Sequence, residues 1–177
     1  PTYRWQKWDG TNWDTLNNVS PYSGVFSNSL VITNVQDALN NSLFRCKIDT
    51  NKIRVKLTDS ARLMVNPLPI STISGTTAVC QNTTPPSISL LGANGTAPYT
   101  FNYKIDGVSQ TPLTTPSGSS KASLTVSTGT PRTSIYSLVS VVDANGCSQT
   151  QSGSATITIY RLPSINSQPI NSTKCEG

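Results

Sequence analysis

Along most of this chain apolar residues alternate with polar ones in short runs, and turn-forming residues separate the runs. Residues 3–8, Tyr3-Arg4-Trp5-Gln6-Lys7-Trp8, alternate and are aromatic, as strands are. Asp9-Gly10 supplies a turn, and the chain returns through Trp13 to Leu16. A Pro/Ser/Gly segment follows at 20–24. Leu30-Val31-Ile32 reads as a short strand, 37–41 as a corner and 43–48 as a strand. Residues 49–52 then turn the chain back into 53–57, and Ala61, Leu63 and Val65 alternate in a last strand. Asn66-Pro67-Leu68-Pro69 interrupts the pattern as a short, stiff linker, because proline fixes φ and extends its neighbour. Beyond it, 78–80, 87–91, 99–105, 122–126, 135–142 and 155–160 read as strands. In 99–105, Tyr99, Phe101, Tyr103 and Ile105 share one face. Asp106-Gly107 marks a hairpin, 110–120 a polar loop and Asn145-Gly146 a turn. No segment holds a helical period over the needed length. The predicted fold class is all-β, two tandem antiparallel β-sandwich domains joined by a short proline linker. The expected boundaries are 1–66, 67–162, and a tail at 163–177 that begins a further unit.

Composition narrows the function classes. Charged residues make up 12 % of the chain, about half the usual share, and Ser, Thr and Asn fill the gap. The formal net charge is +5 with no His. The basic residues fall mainly on the solvent side of strand-like segments such as Arg54 and Lys56, and form no dense run of the kind phosphate backbones attract. No nucleic-acid partner is expected. No apolar run approaches a membrane span, so no direct membrane insertion is expected of this segment.

Candidate chemistry is sparse. Without His, Ser-His-Asp and Cys-His sites are excluded, and no Cys-x-x-Cys spacing suggests zinc. The acids Asp9, Asp106 and Asp143 sit in turns, where Asp bonds nearby backbone, so a paired-carboxylate hydrolase is not expected. Calcium at Asp143 and Asn145 would have one carboxylate, too few for a built site. The expectation is a non-enzyme with no cofactor, no metal and no catalytic residues. Trp8 and Trp13 flank the first turn and are the candidate sugar contacts, set against cross-strand packing within the hairpin.

Two families share motifs with this chain. Over about 1–66, Tyr3-Arg4-Trp5-Gln6, Leu30-Val31-Ile32, Asp37 and Phe44-Arg45-Cys46 resemble strands C, E and F of an immunoglobulin-like domain. In that fold a buried Trp packs on a disulfide between strands B and F; Trp5 and Cys46 match two of its members, and Phe44 stands where a tyrosine corner has its Tyr. Over about 70–161, Gly95-Thr96-Ala97-Pro98-Tyr99-Thr100-Phe101, Ser140-Val141-Val142-Asp143-Ala144-Asn145-Gly146-Cys147 and Gly153-Ser154-Ala155-Thr156-Ile157-Thr158-Ile159 resemble PKD-like repeats. Such repeats alternate with immunoglobulin-like units in very large surface adhesins of gliding Bacteroidota. The echo of Asn66-Pro67-Leu68-Pro69-Ile70 before Cys80 in Arg161-Leu162-Pro163-Ser164-Ile165 before Cys175 fits an array.

Four cysteines permit three pairings. A Cys80–Cys147 crosslink is expected to close the second sandwich. The resemblance implies that Cys46 and Cys175 each pair with cysteines outside this segment. It also implies export by the type IX secretion system, display on the cell surface at the outer membrane, and O-glycan acceptors at Thr15 and Ser60 within Asp14-Thr15-Leu16 and Asp59-Ser60-Ala61. The function so implied is a stalk repeat that holds a distal adhesive region away from the cell during attachment and gliding. Its expected partners are neighbouring repeats of the same chain and, through the whole protein, surface polysaccharide. The alternative is a carbohydrate-binding accessory module of a secreted protein, which needs Trp8 and Trp13 exposed and coplanar.

Overall fold

The computed structural model describes residues 1–50 and 54–177. The expected turn at 49–52 and the start of the strand at 53 lie largely outside those residues. The chain divides into two compact units, Pro1–Pro67 and Leu68–Gly177.

The first unit comprises β1 (Thr2–Trp8), β2 (Trp13–Thr15), β3 (Tyr22–Ser23), β4 (Val31–Ile32), a 3-10 turn (Asp37–Leu39), β5 (Leu43–Asp49), β6 (Val55–Leu57) and β7 (Ala61–Arg62). The larger sheet runs β2-β1-β5-β6, with β7 also on β5; β3 and β4 form a two-stranded layer. All pairings are antiparallel, and Trp5 stands directly opposite Cys46. Alternation then divides the side chains. Trp5 and Phe44 face Tyr22 and Ile32 of the small layer, around the buried Leu16 and Val25. Arg4, Gln6, Trp8, Arg45 and Lys47 face the other way. The Pro/Ser/Gly segment at 20–24 contains β3, which is too short for its pattern to register. The last strand stops at Arg62, and Leu63 and Val65 instead satisfy a corner, donating from Leu63 N to Ser42 O and from Val65 N to Asn40 Oδ1.

The second unit comprises β8 (Ile70–Ser74), β9 (Thr77–Cys80), β10 (Ser87–Ala93), β11 (Thr100–Ile105), β12 (Val108–Ser109), β13 (Leu113–Thr114), β14 (Lys121–Thr125), β15 (Arg132–Val142), β16 (Ser148–Thr150) and β17 (Ser154–Tyr160). One sheet runs β14-β10-β8; the other runs β12-β11-β15-β17-β9, with β13 on β11 and β16 on β15. The polar loop at 110–120 thus contains β13. Phe101 and Tyr103 turn inward from β11, with Tyr99 just before it, as the alternation requires. Both residues of Asp106-Gly107 take positive φ, the geometry of the tightest hairpins. The first strand of the unit is shared between the sheets: β8 pairs with β10, and after Gly75 the chain crosses to pair with β17. Gly75 has φ +114°, and a Cβ there would lie 2.4 Å from Ser87 O, so only glycine makes this crossing. The β9–β17 pairing is parallel, an exception to the expected antiparallel arrangement.

Gly92 sits under an aromatic ring. A Cβ on it would lie 2.5 Å from Tyr99 Cγ. That ring is buried and cannot swing aside, because its hydroxyl donates to Gly95 O at 2.6 Å. Gly92→Ala is therefore expected to destabilise the second unit by about 1–3 kcal/mol, the usual cost of overpacking. A thermal melt followed by far-UV circular dichroism checks it; an unshifted melt contradicts the packing described.

Candidate functional site

The outward face of the β2-β1-β5-β6 sheet gathers three aromatic side chains, Trp8, Trp13 and Phe26, and three cationic ones, Arg4, Arg45 and Lys47. Trp8 and Trp13 are direct cross-strand partners in the β1–β2 hairpin. The hairpin turn is held by Asp9, whose carboxylate accepts from the backbone N–H groups of Thr11 at 2.6 Å and Asn12 at 2.5 Å. Those two bonds, Asn12's first, lower the Asp9 pKa below its ordinary value. The two indoles lie 5.4 Å apart and are tilted by 53°. They are half-buried and form no coplanar platform, which corrects the geometry required of them as stacked sugar contacts. The tilt is that of a cross-strand aromatic pair.

The face of Trp13 is already occupied. Arg45 reaches across from β5, its Cζ 4.2 Å from the ring centroid. It passes over Gln6, which is only 9 % exposed, although it stands on the outer side of the sheet. Gln6 Oε1 accepts from Arg45 Nε at 2.9 Å, and Gln6 Nε2 donates to Trp13 O at 3.3 Å. The guanidinium is thus fixed by one amide and one ring. Arg4, one step along β1 on this face, lies over Phe26 with Cζ 4.4 Å from the centroid. Its direct cross-strand partner is Lys47, which is exposed. Sequence reasoning missed this cluster. The pairing of Trp5 with Cys46 was its one available signal, since that register sets Arg4 beside Lys47 and Gln6 beside Arg45.

The remaining candidate residues are dispersed. Thr15 and Ser60 are exposed; Thr15 lies on the aromatic face opposite Gln6, and Ser60 lies beyond β6. The expected Cys80–Cys147 crosslink is not formed. The register explains why. Cys80 pairs with Tyr160, level with the start of β15, whereas Cys147 returns to Asp143 just past its end. The strand between them has 11 residues, or about 30 Å or more of rise. A disulfide needs Cα atoms within about 7 Å. Cys46 is buried on the core face and Cys175 is exposed in the tail.

Asp143 is a backbone anchor. Its Oδ1 accepts from Asn145 N at 3.0 Å and Cys147 N at 2.9 Å, and its Oδ2 accepts from Thr96 N at 3.0 Å. Three backbone donors thus occupy most of the acceptor sites of this carboxylate. Among the described residues no three His, Cys, Asp or Glu side chains group as metal ligands, and no helix is long and apolar enough to cross a membrane. The first unit also has an apolar cleft of about 210 Å³ between its layers, lined by Trp5, Leu30, Ile32, Phe44, Ala61, Arg62 and Leu63.

The chain is thus all-β, built of β-sandwiches of the immunoglobulin-like kind, with the inward Trp of one central strand opposite the Cys of its neighbour. No protein-family model matches it, and no curated protein matches it. Among solved structures it is similar to the N-terminal four immunoglobulin domains of Dscam1 isoform 4.44, at 15 % identity over 89 % of this chain and 37 % of that one, with a TM-score of 0.36. For Dscam1 isoform 7.44 the figures are 15 %, 89 %, 37 % and 0.37. A structure titled for the basis of Dscam isoform specificity gives 15 %, 90 %, 38 % and 0.36. This chain spans less than two-fifths of the length of each.

Proposed function

We propose that this chain is a non-enzymatic, tension-bearing spacer in an extracellular adhesion protein. The observation that carries the reading is the parallel β9–β17 ladder. These strands are the outgoing half of the second unit's first strand and its last strand. They pair from Thr77 with Ile157 to Cys80 with Tyr160, and the ladder is extended by Gln81 N donating to Tyr160 O at 2.8 Å. A pull on the two ends of the unit loads these hydrogen bonds in shear, all at once, so they must break together. The linker supports the same role, because its Pro69 is fully buried in the second unit and its exposed residues are three, Asn66, Pro67 and Leu68.

The motifs shared with gliding adhesins extend the proposal to a PKD-like second unit, a bacterial cell surface and a stalk built of many such units. Display through type IX secretion, glycans on Thr15 and Ser60, and contact with neighbouring repeats belong to the same reading. The carbohydrate-accessory alternative loses its flat aromatic platform to the tilt of Trp8 and Trp13.

Single-molecule force spectroscopy on the full chain tests the spacer. Gln81 and Val79 have the same parity, so both N–H groups face β17. Val79→Pro with Gln81→Pro removes both donors. The expected result is a clear fall in the unfolding force of the second unit, in molecules whose circular dichroism shows they are folded. An unfolding force equal to that of the unsubstituted chain would overturn the shear-clamp reading.

A further inference from the structure

We infer that the outward face of the first unit's sheet binds an acidic polysaccharide, through Arg4, Arg45 and Lys47. Arg4 and Lys47 are directly opposite across β1 and β5. Like charges in that relation repel and destabilise the sheet. Arg45 stands two residues from Lys47 on the same face and diagonal to Arg4, so the three backbone positions lie within about 8 Å of one another. Among the described residues, the partners of the two guanidiniums are the Gln6 amide and aromatic rings, not carboxylates. Asp49, the acid on this face of β5, lies two residues beyond Lys47 and has an interaction of its own. Three cations have been brought together on one open face, at a cost in stability that a bound anion would offset.

The surroundings indicate which anion. Arg45 is held by Gln6 and Trp13, so its planar donor edge is fixed in advance and suits the two oxygens of a carboxylate or sulfate. Apolar surfaces border the cations: Trp8 beyond Gln6, Phe26, which is 48 % exposed, beside Arg4, and Leu57, which is 52 % exposed, beside Lys47. A sugar chain has this alternation of acid group and apolar ring face. A phosphate backbone would need a longer basic track than three residues provide. The inference is separate from the spacer reading, since a tension-bearing unit need not bind anything.

The test is isothermal titration of the full chain with oligogalacturonate, dextran sulfate, neutral dextran and a ten-nucleotide oligothymidylate. Oligogalacturonate and dextran sulfate distinguish carboxylate from sulfate as the group recognised. At least one acidic glycan is expected to bind, with affinity falling as salt rises, and neutral dextran to give no heat. Lys47→Gln and Arg45→Gln are each expected to weaken that binding by about tenfold, the scale of one charge-assisted contact. Lys47→Gln also removes the repulsion with Arg4, so its melting temperature should hold or rise. Folding and binding are thereby separated. The inference is overturned if neither acidic glycan binds, if dextran binds equally well, if the oligonucleotide binds more tightly than both, or if Lys47→Gln leaves the affinity unchanged.

Discussion

Asp143→Ala is expected to destabilise the second unit by about 4 kcal/mol. The carboxylate is 5 % exposed and holds three backbone N–H groups, from Thr96, Asn145 and Cys147. Alanine leaves all three without their acceptor. Bonds to a charged acceptor are worth about 1.5–3 kcal/mol each, and the three are not independent. The loss also spreads, because these donors tie the loop at Thr96 to the turn after β15. Asp143→Asn is the informative companion. Its carbonyl can still serve Asn145 and Cys147, but its NH₂ group then faces the Thr96 N–H, donor against donor. A loss between zero and the alanine value is expected. Urea unfolding followed by far-UV circular dichroism measures both. If Asp143→Ala lies within about 0.5 kcal/mol of the unsubstituted protein, the scale of an ordinary surface change, the anchor described here is wrong.

Phe101→Ala is expected to cost about 3–5 kcal/mol, the range for truncating a fully buried aromatic. Phe101 is 0 % exposed, packs with Leu90, Ala122, Leu138 and Val141, and stacks on Tyr99 at 6.4 Å with rings only 14° apart. Phe101→Leu keeps most of that volume and should cost far less. The chain permits an internal control. All three tryptophans, Trp5, Trp8 and Trp13, belong to the first unit. Indole fluorescence therefore reports the first unit, and circular dichroism reports both. Phe101→Ala should move the dichroism transition of the second unit and leave the fluorescence transition in place. A fluorescence transition that moves with it would show that the two units unfold as one.

What could be read from the sequence was what depends on local pattern. The alternation of Tyr99, Phe101 and Tyr103 gave their burial, and Asp106-Gly107 gave a hairpin, because side-chain direction and turn chemistry are set within a few residues. What depends on topology was hidden. Cys80 and Cys147 looked like partners because each borders a strand-rich stretch. Only the parallel docking of β9 on β17 shows that they stand at opposite ends of β15. The two-residue strands β3 and β13 were hidden for another reason: neither is long enough to show a period. The aromatic and cationic face lay between these cases. Each strand's alternation was visible, but Arg45 reaches Trp13 only after β1 is set between β2 and β5.

The crossing at Gly75 has a consequence for how such a chain can evolve. Because β8 and β9 are one continuous path and β9 runs parallel to β17, the polypeptide enters the second unit at one end and leaves it at the other. Pro69 enters beside Gly95 and Asp143, and Tyr160 departs beside Cys80. A duplicated copy of the unit could be spliced between one exit and the next entry without rerouting any strand of either copy. Copy number is then free to change by recombination, and a lineage could lengthen or shorten the protein in steps of one unit while every core stays as it was.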